Sequence, residues 1–258
     1  MENAIKLRTK LQRGVICVGS AVTFRDPTVS EALAGVLDFI WVDAEHAPLS
    51  IESVMGHIMA TKGTDAAPLV RVPWNDPVLI KPVLDAGAAG IIAPMVSSAE
   101  EARRFVAGCL YPPEGIRGFG PRRPSNYGQV GSEEFCKMAN EAIFTIAQIE
   151  HIDAVDCIGE ILSVPRLDSV LLGPNDLAGS MGHTGNPNHP EVLEAIDAVI
   201  AAARKNHVYV GTGVTDDPRS AEPLIKKGVN WLCIAPDYML MLRSANYFAR
   251  EIRRYSAA

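Results

Sequence analysis

The sequence predicts a (β/α)8 barrel, a single domain over residues 1–258, with an extra helix at the C-terminus. Three observations predict it. Eight short, nearly continuous apolar runs recur along the 258 residues, the pattern of parallel strands buried on both faces. Amphipathic segments of helical period separate them. The alternative, a doubly wound sheet for a dinucleotide, would carry GxGxxG after its first strand, whereas the chain reads Val18-Gly19-Ser20-Ala21.

The first strand is predicted at Val15–Ser20, after a polar opening segment. The second, Phe39–Asp43, is apolar until its last residue, and Ser50 stands where the next helix needs an N-cap. The third, Leu69–Val72, leads to an amphipathic helix over Asp76–Ala86, capped by Asp76 and closed by Gly87. The fourth, Gly90–Pro94, precedes a helix over Ala99–Cys109. An irregular stretch rich in Pro, Gly and Arg then runs from Tyr111 to Gly131. A loop that long in a compact domain is more often functional than not. The fifth and sixth strands are Phe144–Ile149 and Ser169–Leu172, followed by a helix over Pro190–Asn206. The seventh is Tyr209–Gly213; Asp217 caps the helix over Pro218–Lys227, and Gly228 ends it. The eighth is Trp231–Ala235. The last segment, Tyr238–Tyr255, is helical, with Met239, Leu242, Ala245, Phe248 and Ile252 along one side. That stripe packs on its own barrel or on a neighbour's.

Composition narrows the function. Hydrophobic residues are 48% and charged residues 21%, as in water-soluble globular chains. A net charge of −6 argues against a nucleic-acid binder, which needs clustered Lys and Arg. It leaves room for a small anion in a local Arg pocket. The five cysteines, Cys17, Cys109, Cys136, Cys157 and Cys233, are odd in number and show no CxxC. Neither a disulfide framework nor a structural zinc is expected, and a cytoplasmic setting fits. Met1 to Lys10 lacks the apolar core of a signal peptide, and no run of about 18 apolar residues promises a membrane span.

In barrels of this kind the chemistry gathers at the C-terminal ends of the strands. There the chain places Asp43, Glu45 and His46 after strand two, and Arg71 at the end of strand three. Gln148 and Glu150 end strand five, Gly173-Pro174-Asn175-Asp176 follows strand six, and Thr212 and Gly213 end strand seven. Glu150 and Asp176, on neighbouring strands without a nearby His or Cys, suit a hard divalent cation such as magnesium or manganese. Alternatively they form ion pairs or cap the following helices. His46, three residues after Asp43, reads as a general base whose tautomer a carboxylate fixes, or else as a satisfied histidine or metal ligand. Arg71 faces either a developing enolate oxygen or the carboxylates of Asp43 and Glu45. None of the eight lysines falls on a predicted strand, so a carbon–carbon lyase built here uses a metal rather than a Schiff base.

The segments Phe39–Pro48 (FIWVDAEHAP), Arg71–Pro77 (RVPWNDP), Leu84–Pro94 (LDAGAAGIIAP), Tyr111–Gly118 (YPPEGIRG), Ala147–Glu150 (AQIE) and Gly173–Leu177 (GPNDL) resemble the HpcH/HpaI family of 2-oxo acid aldolases. The resemblance runs over nearly the whole chain in the same order. It implies a class II pyruvate aldolase of the phosphoenolpyruvate/pyruvate barrel superfamily. Glu150 and Asp176 would bind Mg²⁺, Mn²⁺ or Co²⁺, His46 would be the base with Asp43 as its partner, and Arg71 would bind the carbonyl. Gln148 would line the metal site, and the turn Gly173-Pro174-Asn175-Asp176 would hold the substrate carboxylate. Thr212 and Gly213 would border the substrate. The family's habit implies a hexamer, a trimer of dimers with exchanged C-terminal helices.

The chain departs from the family's pattern in two places. The aromatic residue common after the first strand is replaced by Gly19-Ser20-Ala21-Val22-Thr23-Phe24, and after GIRG the chain reads Phe119-Gly120-Pro121-Arg122-Arg123. Both places face the aldehyde end in the family. Phe119 would border the acceptor; Arg122 and Arg123 would bind a distal carboxylate or phosphate, make subunit contacts, or lie in solvent. The expected reaction is reversible cleavage of a 4-hydroxy-2-oxo acid to pyruvate and an aldehyde, through an enolate stabilised on the metal. The alternatives are a citrate-lyase-like enzyme acting on a CoA thioester, an oxaloacetate decarboxylase, or a non-catalytic 2-oxo acid binder. A CoA enzyme needs a second basic site, which only Arg117–Arg123 offers.

Overall fold

The structure, a computed structural model, describes residues 2–213 and 217–256. Eight parallel strands close into a barrel in chain order: β1 (Cys17–Val22), β2 (Phe39–Asp43), β3 (Ala67–Arg71), β4 (Gly90–Ala93), β5 (Phe144–Ile149), β6 (Ser169–Leu172), β7 (Tyr209–Gly213) and β8 (Trp231–Pro236). Twelve α-helices are described. They are α1 (Glu2–Gln12), α2 (Thr28–Ala34), α3 (Ile51–Ala60), α4 (Pro77–Ala86), α5 (Ala99–Cys109), α6 (Ser132–Ala142), α7 (Ile152–Asp156), α8 (Ile158–Leu162), α9 (Pro174–Ser180), α10 (Pro190–Lys205), α11 (Ala221–Lys227) and α12 (Asp237–Arg253). None is long and apolar enough to cross a membrane.

Four strands start and stop where the sequence predicts. β1 starts two residues late, because the Val15 N–H is spent on Lys10 O and pairing with β8 begins at Cys17 opposite Trp231. The predicted caps form: Ser50, Asp76 and Asp217 accept N–H bonds from Ser53, Val78 and Arg219. Asp217 opens a 3-10 turn, Pro218–Ser220, rather than α11 itself. Gly87 closes α4 at φ 101°, a left-handed conformation that glycine adopts without cost.

Successive side chains on a strand point to opposite faces, and the core divides accordingly. Ile40, Val42, Val70, Ile91, Val170 and Leu172 face the helices. Phe39, Trp41, Leu69, Ile92, Phe144, Ile146, Leu171 and Trp231 fill the barrel interior, joined from below by Ala4, Leu7 and Leu11 of α1. Large rings inside so narrow a barrel require glycine opposite them. A Cβ on Gly19 would lie 2.3 Å from the Phe39 ring, and one on Gly211 would lie 2.0 Å from the Trp231 ring. Phe39 and Trp231 meet edge to face at 5.3 Å, and the indole N–H of Trp231 donates to Ser169 Oγ at 2.9 Å. Above these rings the interior residues turn polar or small: Asp43, Arg71 and Gln148 on one side, Ala21, Gly213, Cys233 and Ala235 on the other. A cavity opens there.

Asp237, the first residue of α12, is buried at the rim. Its carboxylate accepts the N–H groups of Thr23 and Phe24, each at 2.9 Å, and the Thr23 hydroxyl at 2.7 Å. Farther along α12 an apolar stripe faces outward: Leu242, Phe248 and Ile252 are 56%, 60% and 62% exposed. Beneath the Thr23–Phe24 turn lies His57 of α3, fully buried, its Nδ1 sharing a 2.9 Å hydrogen bond with Ser30 Oγ. Burial holds this imidazole below the ordinary 6.5, partly opposed by the Phe24 backbone and the charges of Asp237 and Asp26.

Two measurements follow from this packing. Gly211→Ala should destabilise the barrel by about 3 kcal/mol or more, read by denaturant unfolding, since backbone and indole must both give way; a loss under about 1 kcal/mol would show that the ring relocates freely. For His57 the depressed pKa means that the unfolded chain binds the proton more tightly. Its contribution is whole above 6.5 and is lost as pH falls through the lower folded value. The melting temperature of His57→Gln should therefore fall less steeply below pH 6.5 than that of the parent, and equal slopes would refute the assignment.

Candidate active site

The cavity at the C-terminal mouth of the barrel holds about 650 Å³. Asp43, His46, Arg71, Gln148, Asn175 and Asp176 line it, with Trp41, Leu171, Cys233 and Ala235 as apolar wall and Thr23, Phe24, Pro236 and Tyr238 toward the rim. Its polar side is built from three strand ends and the helix that follows β6.

Arg71 and Asp43 sit directly opposite in the β2–β3 register, both on the interior face. Their side chains form a fork: Arg71 Nε donates to Asp43 Oδ1 at 3.0 Å and Nη2 to Oδ2 at 2.6 Å. The guanidinium also stacks over Trp41, 4.8 Å from the ring centre. Asp43 Oδ1 further accepts the backbone N–H groups of Glu45 and His46, which fixes the turn after β2. Glu45 Oε2 lies 3.1 Å from Arg71 Nε, yet takes no hydrogen bond, because Nε points at Asp43. A buried carboxylate oxygen without a donor is an incomplete site. Arg71 thus has carboxylate partners, and its Nη1 keeps only a long 3.4 Å bond to Gln148 Oε1.

Across the barrel, the Gln148 amide donates to Glu150 Oε2, and the Met95 N–H donates to Oε1 at 2.7 Å. Met95 makes that bond from φ 53°, a left-handed conformation unusual for a side-chain-bearing residue. Burial lifts the Glu150 carboxyl above its ordinary 4.5; the two donors oppose the shift, and the charges of Glu45 and Asp176 add to it. Burial likewise lifts Glu45, against the pull of Arg71. Gly173 makes the close approach of Glu150 tolerable, since a Cβ there would be 2.8 Å from Glu150 Cβ. Asp176 lies in the first turn of α9, exposed to the cavity. Asp43, Asp176 and Arg71 line the cavity, and Glu45 and Glu150, outside its lining, lie near enough for the charge of Asp176 to add to the lift of both carboxyls and that of Glu45 to add to the lift of Glu150. The donor set is all oxygen, it includes an orphaned carboxylate atom, and it carries surplus negative charge. That donor chemistry is the kind a hard divalent cation takes, although no three of these carboxylates bring donor atoms within 4.8 Å of one another.

His46 is 64% exposed at the cavity mouth. The expected bond from its ring to Asp43 does not form. Asp43 is occupied by Arg71 and by two backbone N–H groups, and the imidazole Nε2 instead lies 3.9 Å from Glu45 Oε2. Thr212 is a second correction. Its neighbours Gly211 and Gly213 face the interior, so strand alternation turns Thr212 toward the helices; Gly213 borders the cavity and Thr212 does not.

Phe119, Arg122 and Arg123 also lie elsewhere within the chain. Phe119 packs on Tyr111 at 5.8 Å beside a separate depression. Arg123 turns to the opposite, N-terminal end of the barrel, where it donates to Ala86 O at 3.0 Å beside Gly87. Arg122 is exposed. Arg117 is bound to Asp85 at 2.7 Å and stacked on Tyr111. Sequence reasoning undervalued Glu45 and Trp41 and missed Met95. Period-2 counting back from Asp43 marks Trp41 as interior, but the Met95 N–H carries no signal in residue type.

Comparisons with known proteins bear on the family and the fold. The family model described as HpcH/HpaI aldolase/citrate lyase matches residues 25–244. The 4-hydroxy-2-oxo-heptane-1,7-dioate aldolase of Salmonella paratyphi C (strain RKS4594) is 36% identical over 252 residues, 96% of this chain and 94% of that enzyme. The hydroxypyruvate/pyruvate aldolase of Roseovarius nubinhibens is 35% identical, covering 92% of this chain and 93% of its own. Among solved structures, an HpcH/HpaI aldolase/citrate lyase family protein from Burkholderia cenocepacia J2315 superposes with a TM-score of 0.91 at 29% identity, covering 97% of this chain and 99% of its own.

A raised carboxyl pKa means that folding disfavours the charged form, so the Glu150 contribution is whole below 4.5 and is lost as pH rises. Metal-stripped Glu150→Gln should therefore melt above the metal-stripped parent at neutral pH, and the gap should close as pH falls below 4.5. Adding Mn²⁺ should raise the parent's melting temperature and leave the variant's in place. A variant that melts below the parent at neutral pH, or that gains equally from Mn²⁺, would contradict the electrostatic account.

Proposed function

The chain belongs to the HpcH/HpaI aldolase/citrate lyase family and is a carbon–carbon lyase of the aldolase kind, and we propose that it reversibly cleaves 4-hydroxy-2-oxo acids into pyruvate and an aldehyde with the help of Mg²⁺ or Mn²⁺. The observation that carries this reading is a rigidly held guanidinium, Arg71, facing a cavity whose lining also carries the carboxylates of Asp43 and Asp176. Aldol cleavage moves an electron pair onto a carbonyl oxygen, and such a site is made to receive it.

A divalent cation held by Glu150 and Asp176 would supply Lewis acidity to a chelating 2-oxo acid. Gln148 and the Met95 N–H hold the Glu150 carboxylate in one orientation. Asp43 fixes two donors of Arg71, leaving Nη1, weakly engaged by Gln148, to turn to the substrate's 2-oxo oxygen. The N–H groups at the start of α9, near Asn175 and Asp176, would receive the substrate carboxylate. His46 at the mouth would take the 4-hydroxyl proton, with Glu45 Oε2 3.9 Å from its Nε2. Trp41, Leu171 and Ala235 keep that side of the cavity apolar while the enolate exists. Reprotonation at C3 then releases pyruvate. The CoA-thioester alternative is disfavoured by Arg117 and Arg123, which are tied to Asp85 and Ala86 rather than to the cavity.

The exposed apolar stripe of α12 supports a homo-oligomer, a hexamer in which this helix seats on another copy of the chain. The free cysteines fit a cytoplasmic enzyme.

The test is pyruvate release from 4-hydroxy-2-oxo acids by metal-stripped protein, with and without Mn²⁺ or Mg²⁺. Activity should require the ion, Glu150→Ala should abolish the response, and Arg71→Lys should lower kcat about 10²–10³-fold. Undiminished turnover after chelation would sink the metal requirement. Failure to cleave any such acid would sink the substrate class.

A further inference from the structure

Among the described residues, one set of three metal-ligating side chains has converging donor atoms, and it lies outside the cavity lining: His183, His189 and Glu191. All belong to the segment joining α9 to α10 or to the first turn of α10. Gly182 and Gly185, at φ 81° and 80°, reverse the chain there. His183 N–H bonds to Ala178 O at 2.7 Å, Asn186 N–H to His183 O at 2.9 Å, and His189 N–H to Asn186 O at 3.1 Å. These turns lay one imidazole on the other, with ring centres 3.6 Å apart and planes 15° from parallel. His183 Nε2 shares a 2.7 Å hydrogen bond with Glu191 Oε2, and His189 Nδ1 accepts the Glu191 N–H at 3.3 Å.

Face-to-face stacking is not what two aromatic rings choose for themselves. The backbone turns impose it, and what they achieve is to gather two imidazoles and a carboxylate, with donor atoms all within 4.8 Å of one another. Two nitrogens, one carboxylate oxygen and an open side are the donors of a three-ligand zinc site that keeps water in the fourth position. Nitrogen donors also favour zinc over magnesium or calcium, which take oxygen. We propose that His183, His189 and Glu191 form a second metal site, one that takes Zn²⁺.

Zinc bonds of about 2.0–2.2 Å require the donor atoms to close in from their present spread. The groups can do so. Glu191 is 65% exposed and its carboxylate is free to swing. The hydrogen bond between His183 Nε2 and Glu191 Oε2 must open for both atoms to bind, and the long cap bond from Glu191 N–H to His189 Nδ1 must yield if that nitrogen binds. Because α9 begins with the turn that carries Asp176, an ion here would brace that turn from behind, across Ser180 to the start of α10.

The probe is Zn²⁺ itself, titrated calorimetrically into full-length protein in excess Mg²⁺, which occupies oxygen-rich sites. The parent should take up about one Zn²⁺ per chain, and ¹⁵N-labelled His183 and His189 should shift on binding. Glu150→Ala should bind Zn²⁺ as the parent does. The double variant His183→Gln, His189→Gln should bind about 100-fold more weakly. Glu191→Gln, which changes an exposed side chain and leaves the loop's turns intact, should weaken binding about tenfold. Absence of Zn²⁺ uptake by the parent, or uptake unchanged in Glu191→Gln and the double variant, would overturn the proposal.

Discussion

Everything in this molecule depends on the strict alternation of side chains around a closed parallel barrel. Closure leaves no free edge, so register cannot slip at one strand without disturbing all eight. Each residue is thereby committed to the interior or to the helix layer. Asp43 and Arg71 meet because they share both a register position and a face. Thr212 loses its place at the cavity by a single position. The same rule fills the lower interior with Phe39, Leu69, Phe144 and Trp231 and leaves the upper interior to polar and small residues.

Above that packed floor the electrostatics are deliberately unbalanced. Four carboxylates gather near one guanidinium, and burial lifts two of them, Glu150 and Glu45. A barrel designed only for stability would have replaced such groups with apolar residues of like volume. Perturbed carboxyls of this kind mark candidate sites in general, and here they gather where the fold is least comfortable. Met95 belongs to the same pattern: its backbone takes a rare conformation and in return delivers an N–H to Glu150.

The fold was almost wholly legible in the chain, since a parallel strand buried on both faces announces itself as an apolar run and its caps as Ser, Asp and Gly at fixed offsets. Which polar residues reach the cavity was legible where one strand supplied both position and face, as for Asp43, Arg71 and Gln148. Pairings were harder to read. Asp43 and His46 are near in sequence, but the hydrogen-bonding capacity of Asp43 is exhausted by Arg71 and the backbone. Arg122 and Arg123 were unreadable for a different reason. Their direction is set by the turns of a long irregular loop, and no period exists there to count. Contributions from main-chain groups, such as the Met95 N–H, leave no mark on residue identity at all.

The glycines inside the barrel have a consequence for how such a sequence can change. Gly211 and Trp231 occupy one volume between them, as do Gly19 and Phe39. Neither member of a pair is free to vary alone: a methyl group gained at the glycine must be matched by a ring lost or shrunk across the ladder. Lineages of this chain should therefore keep each pair intact or exchange both members together. A drifting sequence would cross between those two solutions only through a double substitution, which makes the floor of the barrel its slowest-changing part.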